Sequence, residues 1–568
     1  MIVLPAAHAR LVEQALAAAV AAGNLPAGER PAVDIRPAAR PELGDYASAI
    51  ALRLARPLRR KPLEIANTIA GHLPPAPFLA SVDVAPPGFL NFRLDETWLC
   101  AQIDAMLQEG DTLAQLDNGN GRRALVEFVS ANPTGPLHIG RSRGAIVGDT
   151  LARLLQACGY KVEREYYFNN AGRQMQMLGE SLRIRYLQAL GRQVDLPEED
   201  FYQGDYLVQQ ARLLREEQGE ALLSAAGRDY QRFAEAQMFA GIRSTLERID
   251  IRHDRFFNEH SLYENGALED VLDRLQARDQ LYQAAEWEGA SEEEKNRAAG
   301  RAPASWFRAS RFGIDKDHVL MRSDGTPTYT LPDIAYHADK LARAYDLTVN
   351  ILGADHYVQH QVVRAALDAL GEDTSRLRVV ILQFVRLMQG GVERKMSTRR
   401  GDYETLDDLI DETGPDAVRY LLLARSADAR LDFDLDLAVA QNNDNPVYYI
   451  QNAHVRCAGI LRRAEAAGID DTVGDLSLLG DNERCFLRKA LELPAVIEQS
   501  VTELEPHRIA FYAHDLAGIF HPLYENVRVL GEDVPPELAA ARLRFYRAAQ
   551  LVFRRVLTLM GMSAPETM

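Results

Sequence analysis

The chain has 568 residues, 26% of them charged and 47% hydrophobic, which excludes a disordered or fibrous polymer and leaves length for three or four separate cores. With 64 Lys and Arg against 81 Asp and Glu, the formal net charge is −17, so unspecific adhesion of the whole surface to DNA or to an anionic membrane is disfavoured. Cys100, Cys158, Cys457 and Cys485 are too dispersed for a zinc site, and no window approaches the roughly 20 apolar residues of a membrane span. The alanine-rich start carries Arg10 and Glu13 within its apolar stretch, unlike a secretory leader. Reduced thiols, no structural metal and a cytoplasmic location are therefore expected.

Apolar spacing predicts a helix over residues 11–22 and a second over 63–72, after the basic run Arg56, Arg59, Arg60 and Lys61. Pro74, Pro75, Pro77, Pro86 and Pro87 punctuate the next stretch, and residues 89–94 alternate as a short strand does. A small α+β module over 1–115 follows from this, with the turn-rich residues 117–122 as a linker. Apolar runs at 124–129, 162–168, 347–352 and 377–384 read as strands, and 142–157 and 358–370 as helices between them. Strands separated by helices of this length predict an α/β fold, a Rossmann-like doubly wound parallel sheet over 116–415, interrupted by a charged helical insertion at about 180–311. Beyond Pro415 strand signals are lacking; helical patterns at 417–424, 446–467, 485–504, 508–526 and 538–559 predict an all-helical domain over 416–568.

The sharpest local feature is Ser130-Ala-Asn-Pro-Thr-Gly-Pro-Leu-His-Ile-Gly-Arg141, a turn between a strand and a helix. Unpaired N–H groups and the positive helix end suit phosphate at such a turn. Gly140 would let a ligand approach the backbone, and His138 and Arg141 add side-chain donors. Alone, the segment is also compatible with an ordinary Pro/Gly turn bearing an exposed histidine. Downstream lies Glu393-Arg-Lys395-Met396-Ser397-Thr398-Arg399-Arg400-Gly401, a basic loop that could offer point charges to pyrophosphate or simply form a solvated surface.

The two segments together are similar to the paired signature of class I aminoacyl-tRNA synthetases. Over essentially its whole length the chain resembles bacterial arginyl-tRNA synthetases, through Val126-Glu-Phe-Val-Ser-Ala-Asn-Pro-Thr-Gly-Pro-Leu-His138, residues 166–174, residues 324–336, Gly353-Ala-Asp-His356, Lys395-Met-Ser397 and Asp416-Ala-Val-Arg-Tyr420. Arginine binding requires carboxylates for a forked guanidinium, and Asp333, in the first turn of a helix announced by Pro332, can converge with Tyr329. The resemblance implies ATP-dependent attachment of L-arginine to tRNA(Arg) through arginyl-adenylate, with Mg²⁺ accompanying ATP. It assigns Glu127, Tyr329 and Asp333 to the guanidinium and Ser130 and Asn132 to the α-amino end. ATP falls to Pro136, His138, Gly140, Arg141, Gly353, Asp355, His356, Lys395, Met396, Ser397 and Arg399, with His138, Arg141 and Lys395 catalytic.

By the same resemblance the helical domain reads the anticodon, and the amino-terminal module binds the outer corner of the tRNA. Arg542, Arg544, Tyr546, Arg547, Arg554 and Arg555 put basic and aromatic residues along a terminal helix, a combination suited to phosphates and unpaired bases or simply to a solvated face, and Met568 belongs to a family-like terminus. A monomer is expected. Two residues depart from the family pattern: Arg141 replaces the second signature histidine, and Thr398 replaces a lysine. An enzyme passing activated arginine to a non-tRNA acceptor and a non-catalytic tRNA-binding protein are the alternatives.

Overall fold

The computed structural model describes residues 1–170, 173–197, 201–394, 405–469 and 474–568. Its contacts divide the chain into two compact units, one built from residues 119–440 with 504–507, the other from 1–118, 441–503 and 508–568.

At the centre of the first unit stands a five-stranded sheet. From edge to edge its strands are Leu377–Leu382, Leu347–Gly353, Arg123–Glu127, Lys161–Phe168 and Arg255–Asn258, every neighbouring pair parallel. Ala124, Leu125 and Val126 are fully buried, as the apolar run predicts for a central strand covered on both faces. The chain leaves this strand through the signature turn into the helix Ile139–Ala157 and returns as Lys161–Phe168. Gly148 lets that helix lie against the strand end: a Cβ there would stand 2.4 Å from Cβ of Phe128. Strand order reverses between Arg123–Glu127 and Leu347–Gly353, opening the crevice where ligands bind in such sheets.

The predicted insertion is not one continuous helical block. Helices Arg173–Ala189, Asp205–Gln218 and Gly227–Arg248 share a core that includes Leu182, Tyr186, Leu214 and Tyr230. The chain then re-enters the parallel sheet at Arg255–Asn258 before reaching the antiparallel strands Leu281–Ala284, Ala304–Phe307 and His318–Met321. An edge strand of four residues in which only Phe257 is buried carries no long apolar run, so its pattern is lost within the charged stretch.

Strand structure also continues past Pro415. After the helix Pro415–Leu423, Leu431–Asp434 pairs in parallel with Val385–Gln389, burying Leu431 and Phe433. This places the end of the unit near residue 440 rather than the predicted 415. Arg143 fastens this region to the signature helix. Its buried guanidinium donates to the carbonyls of Ser426 at 2.7 Å, Ala429 at 2.9 Å, Gln383 at 3.2 Å and Arg425 at 3.2 Å. Burial lowers its pKa to about 10.

The second unit joins the amino-terminal module to the helical domain. Its four-stranded antiparallel sheet is flanked by helices that include Leu4–Ala21, Pro62–Ala70 and Glu96–Glu109, while Pro446–Ala466, Asp481–Ala490, Leu493–Thr502, His507–Asn526 and Pro536–Leu559 form the bundle. The helix predicted over 485–504 is two, with Pro494 starting the second.

Most of the terminal-helix cations predicted to meet tRNA are already engaged within their own unit. Arg554 pairs with Asp111 at 2.6 Å, Arg544 pairs with Asp104, and Arg555 donates to the carbonyl of Leu113 at 2.8 Å. Arg488 pairs with Asp45 at 2.6 Å and Arg484 with Glu96 at 2.9 Å, so five bundle arginines grip the amino-terminal module. Tyr546 is fully buried against Phe520 and Phe545 and presents no ring for base stacking, which corrects its assignment to tRNA. Arg542 is engaged by Glu483 at 2.9 Å and by the carbonyl of Arg528 at 2.6 Å. Arg547 and Met568 are exposed.

Candidate active site

A cavity of about 630 Å³ opens at the carboxyl ends of the central strands. One wall is the signature turn, and the other is the start of the helices Thr330–Ala342 and Tyr357–Ala369.

Leaving Glu127, the chain places Val129 at φ 68° and Ser130 at φ 42°, two successive non-glycine residues in the left-handed region. Such strain persists only where surroundings fix it. Here Ser130 Oγ donates to Glu127 Oε1 at 2.7 Å and accepts from the Tyr167 amide at 3.2 Å. The Tyr166 hydroxyl donates to the carbonyl of Ala131 at 2.8 Å. Asn132 spans 3.2 Å to Gln174 Oε1 and accepts from the Asn169 amide at 3.3 Å.

His138 caps the helix Ile139–Ala157, its Nδ1 accepting from the Gly140 amide at 3.1 Å. A Cβ at Gly140 would lie 2.8 Å from Cε1 of that ring, so the space expected for an approaching ligand is taken by His138 itself. Burial, reinforced by the nearby charge of Arg141, holds the His138 pKa below the ordinary histidine value. Pro136, His138 and Arg141 all line the cavity.

At the opposite wall Asp333 occupies the first turn of Thr330–Ala342, preceded by Tyr329, an exposed residue that also lines the cavity. Asp333 Oδ2 accepts from Gln359 Nε2 at 2.8 Å, and Oδ1 lies 3.0 Å from His337 Nδ1. Burial works to raise its pKa, but His337, Lys340 and Gln359 together hold the carboxyl below the usual carboxylate range.

Glu259 also faces the cavity, and the sequence reading missed it. It accepts from Asn169 Nδ2 at 2.8 Å, from the hydroxyl of Tyr263 at 3.3 Å and from that of Tyr167. Burial, with a lesser contribution from the charge of Asp333, raises its pKa. Its signal was positional: Glu259 immediately follows the edge strand Arg255–Asn258, at a strand carboxyl end like Glu127 and Ser130, and that strand was itself unread.

Glu127 is differently engaged. Its Oε2 pairs with the ammonium of Lys340, whose other partner is Asn350 Oδ1 at 2.8 Å. Glu127 thus reaches the cavity already bound to a cation of the protein. Among the described residues His360 lines the cavity with neither ring nitrogen hydrogen-bonded, and burial lowers its pKa to about 4.

His356 lines the cavity, whereas Gly353 and Asp355 stand at the strand end and the following turn, outside its lining. Lys395, Met396, Ser397, Thr398 and Arg399 lie outside the described residues. Beyond them Thr405 bridges to His138, and the Leu406 amide donates to the carbonyl of Leu137 at 2.7 Å, bringing that flank beside the signature turn.

A parallel sheet of this order, with a His-x-Gly turn at the head of the first helix and a cavity at the strand reversal, defines the catalytic core of a class I aminoacyl-tRNA synthetase. Residues 102–429 match the family model for the catalytic domain of class I (R) tRNA synthetases, 7–94 that for the arginyl-tRNA synthetase N-terminal domain and 450–568 that for the DALR anticodon-binding domain. The chain belongs to the arginyl-tRNA synthetase family. It is 43% identical over 535 residues to the arginine–tRNA ligase of Desulforudis audaxviator, covering 92% of each chain. To that of Heliobacterium modesticaldum it is 42% identical over 569 residues, covering 98% of each. The arginyl-tRNA synthetase structure of Thermus thermophilus shares the fold, with a TM-score of 0.76, 22% identity and full coverage of both chains.

Proposed function

We infer that the chain attaches L-arginine to tRNA in two steps, forming arginyl-adenylate and pyrophosphate from arginine and ATP and then transferring the arginyl group to the terminal ribose. The observation that carries this reading is a single cavity with two carboxylates, Asp333 and Glu259, on one side and the signature turn on the other. A forked guanidinium satisfies both carboxylates and repays their burial, whereas a neutral side chain leaves them unpaired. Tyr329 borders the same cavity, and Ser130 and Asn132, which also line it, are assigned in this reading to the α-amino group. Glu127 supports Ser130 in this scheme instead of contacting the guanidinium.

The first step needs no protein nucleophile, because the substrate carboxylate attacks the α-phosphorus. Alignment and stabilisation of charge on phosphate oxygens supply the catalysis. His138 and Arg141 serve that charge at the turn, and Lys395 and Arg399 are proposed for the leaving pyrophosphate. Magnesium enters with ATP in this reading. Exposed Arg547 and Met568 remain candidates for tRNA contact, with anticodon reading by the helical domain. A cytoplasmic monomer completes the proposal.

Arginine-dependent pyrophosphate exchange, with and without tRNA, followed by arginylation of tRNA, tests the reading. Exchange without transfer would favour a non-tRNA acceptor, and absence of both would favour a binding protein.

A further inference from the structure

Lys340 is fully buried, in the last turn of the helix Thr330–Ala342, and no motif draws attention to it. An ammonium in the interior is expensive unless every donor finds a partner. Its nitrogen pairs with Glu127 Oε2, donates to Asn350 Oδ1 at 2.8 Å and stands 4.1 Å from the centre of the Tyr336 ring. Two arms lead away from it. Through Glu127 the first reaches Ser130 Oγ, at 2.7 Å from Oε1, and so the strained turn at the α-amino end of the cavity. Through Asn350 the second reaches His337, whose Nε2 lies 2.6 Å from Asn350 Nδ2 and whose Nδ1 lies 3.0 Å from Asp333 Oδ1. Asp333, His337 and Lys340 succeed one another on one helix face, so the second arm runs along the helix and the first crosses to the central strand.

We propose that Lys340 is a positioning residue that fixes the separation between the two ends of the arginine cavity, and so selects the length of the substrate side chain. It touches neither substrate. A buried ion pair is a poor source of stability but a good device for holding one geometry, because any displacement leaves a charge unpaired. The pair ties Ser130 and Asp333 to one atom, so a shift at either end is felt at the other. The inference rests on the assignment of Asp333 and Ser130 to arginine made above.

The test uses full-length Lys340→Met and the double variant Glu127→Gln/Lys340→Met, which replaces the charge pair with neutral groups of similar size and so leaves no unpaired buried charge. KM for arginine, KM for ATP and kcat are measured by pyrophosphate exchange in the presence of tRNA, with homoarginine, one methylene longer, as the competing substrate, and Tm is measured by thermal unfolding followed by circular dichroism. KM for arginine is expected to rise about tenfold or more while KM for ATP stays within about twofold. The arginine preference over homoarginine should fall at least roughly fivefold, and the double variant should be no worse than the single. A merely structural role would lower Tm and the active fraction but leave both KM values in place. Unchanged KM for arginine and unchanged preference, in whichever variant folds, overturn the inference, as does an equal rise in both KM values. A parent enzyme that activates no arginine overturns the functional reading beneath it instead, and the inference falls with it.

Discussion

Replacing Asp333 with Asn removes one charge from the guanidinium end and keeps the size of the group. Both carboxylate oxygens are already engaged, one by Gln359 at 2.8 Å and one by His337 at 3.0 Å, so the surroundings are arranged for an anion. Truncating one member of a buried charge pair costs about 2 to 5 kcal/mol, or roughly 30- to 5,000-fold in an equilibrium or kinetic ratio. The Asp333 side chain is 26% exposed and Glu259 remains to meet the guanidinium, so the lower end applies. A loss of about 30-fold in kcat/KM for arginine is expected. Pyrophosphate exchange over a range of arginine concentrations at saturating ATP and tRNA measures it, with KM for ATP as the internal control. The preference for arginine over citrulline should narrow as well, since the charge that favours the cation has gone. The lowered pKa of Asp333 fixes the pH behaviour: its charge is present above the ordinary aspartate range and is lost only as pH falls through the depressed value, so the parent KM stays level across neutral pH. A change in kcat/KM under about threefold would remove Asp333 from the arginine site and refute the argument.

Glu259→Gln should raise KM for arginine about tenfold or more by the same reasoning, and an unaltered KM would leave Glu259 a support for Asn169 and Tyr167. Arg141→Ala should lower the rate of adenylate formation roughly 100-fold with little change in KM for arginine, and Arg141→His should recover part of it; single-turnover measurements decide, and a parent rate in the alanine variant makes Arg141 a bystander. In the alanine variant the His138 ring should also titrate higher, by NMR, because one of the two causes depressing its pKa is removed. A chain of residues 119–440 should lose most affinity for tRNA, and binding by the full chain should weaken as salt rises; equal affinities would refute the role given to the second unit. His253 and His360 are held down to about 4 by burial, so the unfolded chain binds the extra protons. Stability should therefore fall as pH drops from about 6.5 toward 4, and His360→Leu should flatten that slope in urea titrations.

The central strands were legible because burial on both faces demands continuous apolar runs, as at Ala124, Leu125 and Val126. The edge strand Arg255–Asn258 faces no such demand, and with it Glu259 escaped notice although its residue type was right. Leu431–Asp434 alternates as a strand should, but four residues between helical patterns are too few to stand out. The role given to Glu127 changed because its partner Lys340 lies 213 residues away, and a sequence shows a carboxylate without showing what neutralises it. The same reason explains the terminal helix. Arg544, Arg554 and Arg555 look like a surface for phosphate until the acids at Asp104 and Asp111, more than 400 positions earlier, are brought beside them.

That last arrangement bears on how the molecule is made. The first 118 residues belong to one body with residues 441–503 and 508–568, so the halves of a single folded unit leave the ribosome on either side of residues 119–440, nearly the whole of the parallel-sheet unit. At about 5 to 20 residues per second, roughly 15 to 65 s separate them. Throughout that interval Asp45, Glu96, Asp104 and Asp111 await arginines not yet synthesised. The nascent amino-terminal module therefore has to remain soluble, and out of reach of proteases, on the strength of its own sheet and four α-helices. Synonymous codons that slow translation between residues 119 and 440 should accordingly lower the yield of intact protein more than equal delays placed after the bundle has begun to emerge.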